Sequence, residues 1–287
     1  MAGGRSDSGV TLAEVLAAFS LALDLGLGQP MEHLLRSWRI AARLADRLAV
    51  PEDQRTSLFY VAMLAWVGCV ADAPEVAASF GDDIVFRADS YDVDLAGLPA
   101  LGFFVSRAGS GRSAAGRFRA VATLVATGGA AVARGIQGHC LSTSTLADRL
   151  GLDPGVSVAL RQFFARWDGK GVPAGVHGEE LAQVVRLFHL ADVVEVHHRR
   201  GGAGAAIEVA RARRGSQFDP AIVDVFCANA PEVLSSVGDG QDAHRLFADE
   251  PGLARPLSED EFEAALQALA DLGCAVVIRP DILAVLS

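Results

Sequence analysis

Apolar positions recur three and four residues apart along most of this chain, and rarely two apart, so the pattern predicts helices almost throughout. Residues 10–25 carry one such stripe and stop at Gly26 and Gly28. Residues 31–48 carry a longer one through Leu34, Trp38, Ala41, Ala45 and Leu48. Pro51 suits the start of a third helix that runs to about Val67 and ends at Gly68, and Pro74 suits the first position of a short helix reaching Phe80. Residues 85–113 are less regular. Within them GSGRS (Gly109–Ser113) lacks the Lys ending and preceding strand of a phosphate loop, and reads as a surface linker. An alanine-rich helical pattern spans Ala114–Leu150, with breaks expected near Gly128–Gly129 and Gly135. Segments 154–167, 179–199, 203–213 and 219–229 are helical in pattern, the first two separated by a glycine-rich loop, Asp168–Gly178. Ser258 caps an amphipathic helix over Glu259–Leu272, and a short strand is expected at Ala275–Ile278 in the apolar tail.

Composition narrows the partners. With 51% hydrophobic and 21% charged residues the chain can bury a core and is not of the disordered class. Its formal net charge of -10 repels phosphate backbones and anionic lipids, so no direct nucleic-acid or membrane partner is expected. The short run of Arg211, Arg213 and Arg214 reads as a solvated helix end. Cys69, Cys140, Cys227 and Cys274 form no C-x-x-C pair, which points away from a disulfide framework or zinc knuckle and toward a reducing cytoplasm. No basic flank leads into an apolar run at the N-terminus, and no uncharged apolar stretch reaches the ~20 residues of a membrane helix, so a soluble cytoplasmic protein is expected.

Three ordered segments carry more specific information: RWDGKGVPAGVHGEEL (Arg166–Leu181), VVRLFHLADVVEV (Val184–Val196) and RRGSQFDPAIVDVF (Arg213–Phe226). Together they resemble the HD-GYP phosphohydrolases, in which a loop of the type HHERWDGxGYPxGLxGExIP precedes an ARIxxxADxFDAL helix and a later GxxFDP element. The resemblance spans roughly residues 27–229 and is to an actinobacterial type. It implies an all-α, HD-domain-like helical bundle with an additional C-terminal helical segment. The expected organisation is an N-terminal helix (1–26), an HD-GYP-like helical domain (27–236) and a C-terminal helical extension (237–287). Active members resemble one another in using two or three ions, held by His, Asp and Glu, to activate water and neutralise phosphoryl oxygens.

Position by position, the resemblance implies a degenerate site. The first-helix Glu and His correspond to Glu32 and Arg36, and a guanidinium has no lone pair for a metal. The His-Asp pair of LLHDIGK falls on Ala65 and Trp66 in MLAWVGC, with Cys69 at the family's Lys. His139 in QGHCLSTS matches the next His ligand, Phe163 and Phe164 occupy the twin-His positions, and Asp192 matches the Asp of the ADxFDAL helix. Trp167, Asp168 and Gly169 keep the loop motif, while GYP reads Gly171, Val172, Pro173. The remaining ligating groups, Glu32, His139 and Asp192, are too few for a cluster of hard cations. The sequence therefore predicts no metal and no cofactor. Arg36 is expected to replace the ions between Glu32 and Asp192. Trp66, Phe163 and Phe164 are expected to fill the vacated volume, with an open pocket as the alternative. His197 and His198, before Arg199 and Arg200, read as a helix end. Asp168 reads as a loop brace, and Gly169, Gly171 and Gly175 as turn glycines with unusual backbone angles.

These readings point to a catalytically inactive regulatory or scaffold module, acting through a protein partner, self-association or ligand binding. The alternative is a metal-dependent phosphohydrolase or phosphodiesterase on a nucleotide or cyclic dinucleotide, with Fe or Mn as cofactor. A third reading is a sensor that binds such a ligand without cleaving it. Similar two-part regulators continue past EDEFEAALQALADL into a second half and a helix-turn-helix domain, so a stand-alone or shortened form is expected.

Overall fold

A computed structural model describes residues 7–127, 129–235 and 250–274. The chain folds as an all-α bundle with one small sheet, as the periodicity predicts. Thr11 opens α1 (Leu12–Gly26) with a capping box: its hydroxyl accepts from Glu14 N while Glu14 reaches back to Thr11 N. The residues before it, Asp7–Thr11, form β1, which pairs antiparallel with β2 (Pro256–Ser258). Five residues offer too little alternation for this strand to show in the pattern, and its partner lies about 250 positions away. The expected strand at Ala275–Ile278 lies outside the described residues.

The next helices are α2 (His33–Arg47), α3 (Glu52–Leu64) and α4 (Gly68–Phe80). Gly68 starts α4 rather than ending α3, and Pro74 lies inside α4 rather than at its head. The stretch expected to be irregular holds two short helices, α5 (Asp83–Ser90) and α6 (Gly97–Arg107), with Asp82 capping the first through Ile84 N and Val85 N. GSGRS is the turn into α7 (Ala114–Ala126). The alanine-rich pattern breaks at Gly129, which has a left-handed φ of 78°, but α8 (Ala130–Arg149) runs through Gly135 without a break. Then come α9 (Pro154–Arg161), α10 (Gln183–Ala212) and α11 (Pro220–Ser235). The expected division near residue 200 is a kink within α10 at Gly202 (φ 73°), so His197 and His198 are mid-helix and not at an end. Ser258 and Glu261 form a second capping box at the head of α12 (Glu259–Cys274), as the pattern indicates.

The core lies where α2 crosses α10, with α3 and α11 alongside. Leu34, Ile40 and Leu44 of α2 meet Leu187, Phe188, Leu190 and Val194 of α10 in one buried cluster. Leu16 of α1 and Leu253 and Ala268 from the C-terminal segment join the same cluster. No helix among the described residues is long and apolar enough to cross a membrane.

Candidate functional site

Asp192 and Glu195 project from one face of α10, three residues apart on an otherwise apolar stretch, and are 4% and 1% exposed. Ionised carboxylates at that depth need cations. Their principal cation is His33, from the first turn of α2: Nε2 lies 3.0 Å from Asp192 Oδ1 and Nδ1 2.6 Å from Glu195 Oε2. Arg36, one turn on, donates through Nε to Glu195 Oε1 at 2.7 Å and through Nη1 to the Met31 carbonyl at 3.0 Å. Tyr91 donates its hydroxyl to Asp192 Oδ2 at 3.2 Å. Burial alone would push the His33 imidazolium down, but its two carboxylate partners raise its pKa to about 9. Burial would raise Glu195, yet His33 and Arg36 hold it at about 2. Burial, and then Asp192, push the Tyr91 phenol well above its ordinary range.

This arrangement corrects the expected bridge. Arg36 pairs with Glu195 rather than Asp192, and its Nη1 is 4.0 Å from Glu32, whose side chain is 44% exposed at the left-handed entry to α2. The imidazole of His33 takes the place between the α10 carboxylates. Matching on family positions passed over His33, Glu195 and Tyr91. A signal was present in the i, i+3 carboxylates of an apolar helix and the unassigned His beside Glu32.

Ala65 and Trp66, at the junction of α3 and α4, present a methyl and an indole, neither of which can ligate a metal. Trp66 stands edge-on to Phe163 and Phe164, with ring centroids 5.1 and 5.6 Å away, and Phe164 stands edge-on to His139 at 5.0 Å. These rings do not fill the space before them. Packed edge-to-face against one another and against His139, they form one wall of a cavity of about 580 Å³ whose lining also includes Asp192 and His189. The facing wall is apolar, from Leu101 and Phe104 of α6, Leu124 and Val125 of α7, and Val132 and Ile136 of α8, while Arg166, Lys170, Arg213 and Gln217 supply its cationic and amide groups.

The glycine-rich loop sets those cations in place. Asp168 Oδ1 accepts from Lys170 N and Arg166 Nε, each at 3.1 Å, so it braces the loop as expected. Trp167 N and Asp168 N donate to the carbonyls of Gln217 and Ser216, tying the loop to the turn before α11. The Trp167 ring receives the Arg186 guanidinium at 5.8 Å. Gly169 and Gly175 adopt left-handed φ of 75° and 90°. Gly171 is glycine for a different reason: a Cβ there would lie 2.3 Å from the Phe164 carbonyl oxygen. That closeness lets Val172 N donate to Phe164 O at 2.9 Å, just before the cis peptide to Pro173.

A second cluster revises the expectation of no metal. Cys69 and Asp72, three apart on α4, meet His139 of α8, with one donor atom from each lying within 4.8 Å of the others. Of the eight positions singled out from the sequence, Trp66, Phe163, Phe164 and Asp192 share the cavity. His139 belongs to this second cluster behind it, with the Ala65 carbonyl bonded to its ring. Glu32 and Arg36 lie on the far side of His33 and Glu195.

No protein-family model matches the chain. It is 25% identical over 265 residues to the 3'3'-cGAMP-specific phosphodiesterase 3 of Vibrio cholerae, a match covering 91% of this chain and 58% of that protein. Over 98 residues it is 30% identical to a protein of the same organism named "probable cyclic di-GMP phosphodiesterase", covering 32% of this chain and 21% of that one. The crystal structure of a cyclic GMP-AMP specific phosphodiesterase of V. cholerae superposes with a TM-score of 0.70 at 24% identity, over 93% of this chain and 61% of that one. The chain therefore spans about three fifths of these longest matches, and the shared fold is that of an HD-domain-like bundle. These relatives overturn the expectation of an inactive scaffold, because the protein matched along nine tenths of the chain is a phosphodiesterase. The alternative reading, a metal-dependent phosphodiesterase, is the better supported of the two.

Proposed function

We propose that the chain is an HD-GYP-type domain working in the metal-dependent hydrolysis of a cyclic dinucleotide, which it holds in the cavity between α6–α8 and the Trp66–Phe163–Phe164 wall. The observation that carries this reading is the match along 91% of the chain to a 3'3'-cGAMP-specific phosphodiesterase. The cavity supports it on chemical grounds. A cyclic dinucleotide presents flat bases and two diester anions. Aromatic rings stack on the former, and guanidinium and ammonium groups bind the latter. The volume of 580 Å³ falls within the ~300–1,000 Å³ of small-ligand sites.

Arg213 is the group best placed for a diester. It is buried, donates to the Tyr91 carbonyl at 2.7 Å and has no carboxylate within ion-pair distance among the described residues. Lys170 is mostly exposed and lies 3.7 Å from Asp168 Oδ2, while Arg166 is shared with Asp94 and Asp168. These three cations line one cavity in a chain whose net charge is -10. A hydrolytic ion, when bound, supplies an activated water and offsets phosphoryl charge. Ala65 and Trp66 cannot hold it, so the cavity's own side chains bind and orient the diester and the ion belongs to other ligands. The described cysteines Cys69, Cys140 and Cys227 are free thiols, which supports a reducing, cytoplasmic setting.

Calorimetric titration of the full chain with 3'3'-cGAMP and cyclic di-GMP tests the proposal. Saturable one-site binding near micromolar affinity, about -8 kcal/mol, is expected. Absence of binding for both, with the chain folded, would refute it.

A further inference from the structure

We propose that Cys69, Asp72 and His139 form a binding site for a single borderline divalent cation of the Zn²⁺ class, set directly behind the cavity wall. The inference deepens the metal-dependent reading above. It rests on that reading for the ion's purpose and on geometry alone for the site.

The three donors come from two helices and are drawn from different residue types, which separates them from a surface acidic patch. His139 is 2% exposed, and its Nε2 donates to the Ala65 carbonyl at 2.7 Å. That bond places a proton on Nε2 and turns Nδ1 toward Cys69 and Asp72, the orientation that a backbone carbonyl commonly imposes on metal-bound histidine. Nδ1 makes no hydrogen bond in the structure although it is buried, and it faces Asp72 Oδ2 at 3.5 Å. The other oxygen of Asp72 is held by Arg87 Nη2 at 2.6 Å, so the carboxylate keeps one oxygen for the cluster and is prevented from rotating. Arg87 in turn pairs with Asp83 and donates to the Cys69 carbonyl at 3.0 Å. The charge of Arg87 is thus matched by Asp83, and a divalent ion would match the Cys69 thiolate and Asp72.

Gly68 is part of the same construction. A Cβ there would lie 2.6 Å from the His139 ring and 2.7 Å from its Nδ1, so only glycine lets α8 bring the imidazole against the first turn of α4. Donor atoms on a tetrahedral zinc ion with bonds of about 2.0–2.3 Å lie roughly 3.4–3.7 Å apart. The cluster, with its donors within 4.8 Å, closes on an ion with a contraction of at most about 1.1–1.4 Å at its widest pair. Thiolate and imidazole together favour Zn²⁺ over Mg²⁺ or Mn²⁺. Three protein ligands leave one tetrahedral position open, the count found in catalytic rather than closed structural zinc sites. Phe164 and Trp66, which separate His139 from the cavity, both contact its ring.

The test is metal binding by the full chain after chelator treatment, first with Co²⁺ and then with Zn²⁺. One equivalent of Co²⁺ is expected to give a near-ultraviolet thiolate charge-transfer band that Zn²⁺ abolishes. Cys69→Ser is expected to lose the band, Cys140→Ser to keep it, and Gly68→Ala, with all three ligands intact, to weaken Co²⁺ binding about tenfold or more. X-ray absorption of the wild-type Zn²⁺ form needs no variant: one sulfur near 2.3 Å among lighter N/O donors near 2.0–2.1 Å is expected. A sulfur-free shell, or a band that survives Cys69→Ser, would overturn the site. An ion bound with these signatures but without turnover of a cyclic dinucleotide upholds the site and refutes the phosphodiesterase reading. Full turnover by a Cys69→Ser chain lacking the band upholds the phosphodiesterase reading and overturns the role of this ion in it.

Discussion

Replacing His33 with glutamine removes the charge from between Asp192 and Glu195 while leaving a side chain of similar reach. The imidazolium is fully buried, and holding its pKa at about 9 rather than 6.5 corresponds, at 1.36 kcal/mol per pH unit, to about 3 kcal/mol. Leaving two buried carboxylates short of a partner costs about 3–5 kcal/mol, a penalty of the same size. At roughly 2–4 °C per kcal/mol for a chain of this length, Tm is expected to fall by about 6–20 °C. The pH dependence separates a charge effect from a packing effect. A raised histidine pKa gives stability that is complete below 6.5 and lost as pH climbs through 9. The gap between wild type and His33→Gln is therefore widest near pH 6 and narrows as pH passes about 9. On the acid side the depressed pKa of Glu195 gives stability that is present above 4.5 and lost as pH falls through 2. Urea titrations of both chains at about pH 6, 8 and 10 make the comparison. A gap under about 1 kcal/mol at low pH, or one that stays constant to about pH 10, would refute the reasoning.

Arg36→Met removes the second cation on Glu195 and is expected to cost about 1.5–3 kcal/mol by urea titration, less than His33→Gln because the imidazolium remains. Gly171→Ala forces a Cβ against the Phe164 carbonyl and is expected to destabilise by about 1–3 kcal/mol, with wider backbone amide exchange at Val172. Arg213→Gln is expected to weaken cyclic dinucleotide binding about 10- to 100-fold by calorimetry, through loss of a charge-assisted bond of about 1.5–3 kcal/mol. Lys170→Ala, which removes an exposed cation beside the same cavity, is expected to cost under tenfold and to reduce the salt dependence of binding.

Helices that bury one continuous stripe were readable from sequence because their period is local: the stripe from Leu34 to Leu48 is α2, and the cap at Ser258 starts α12. Gly129 was readable as a break because it follows another glycine, whereas Gly135 sits within a helix whose packing overrides its propensity. The strand Asp7–Thr11 was not readable, since it exists only by pairing with Pro256–Ser258. Asp192 and the brace at Asp168 were recoverable from motif spacing. Side chains defined by packing between distant helices were not. His33 becomes a partner of Glu195 only once α2 lies across α10, and Cys69 and Asp72 become a cluster only once α8 delivers His139 past Gly68. The aromatic residues Trp66, Phe163 and Phe164 were visible, but whether they close a space or line one depends on where α6–α8 stand, which no local pattern encodes.

The most direct measurement is turnover. The full chain is stripped of metal, incubated with a cyclic purine dinucleotide, and followed by anion-exchange chromatography for the linear product, before and after stoichiometric Zn²⁺, Fe²⁺ or Mn²⁺. Linear product that appears only with added ion and is reduced by Arg213→Gln is the expected result. An intact cyclic ligand under every ion, with the wild-type chain folded, would contradict the account.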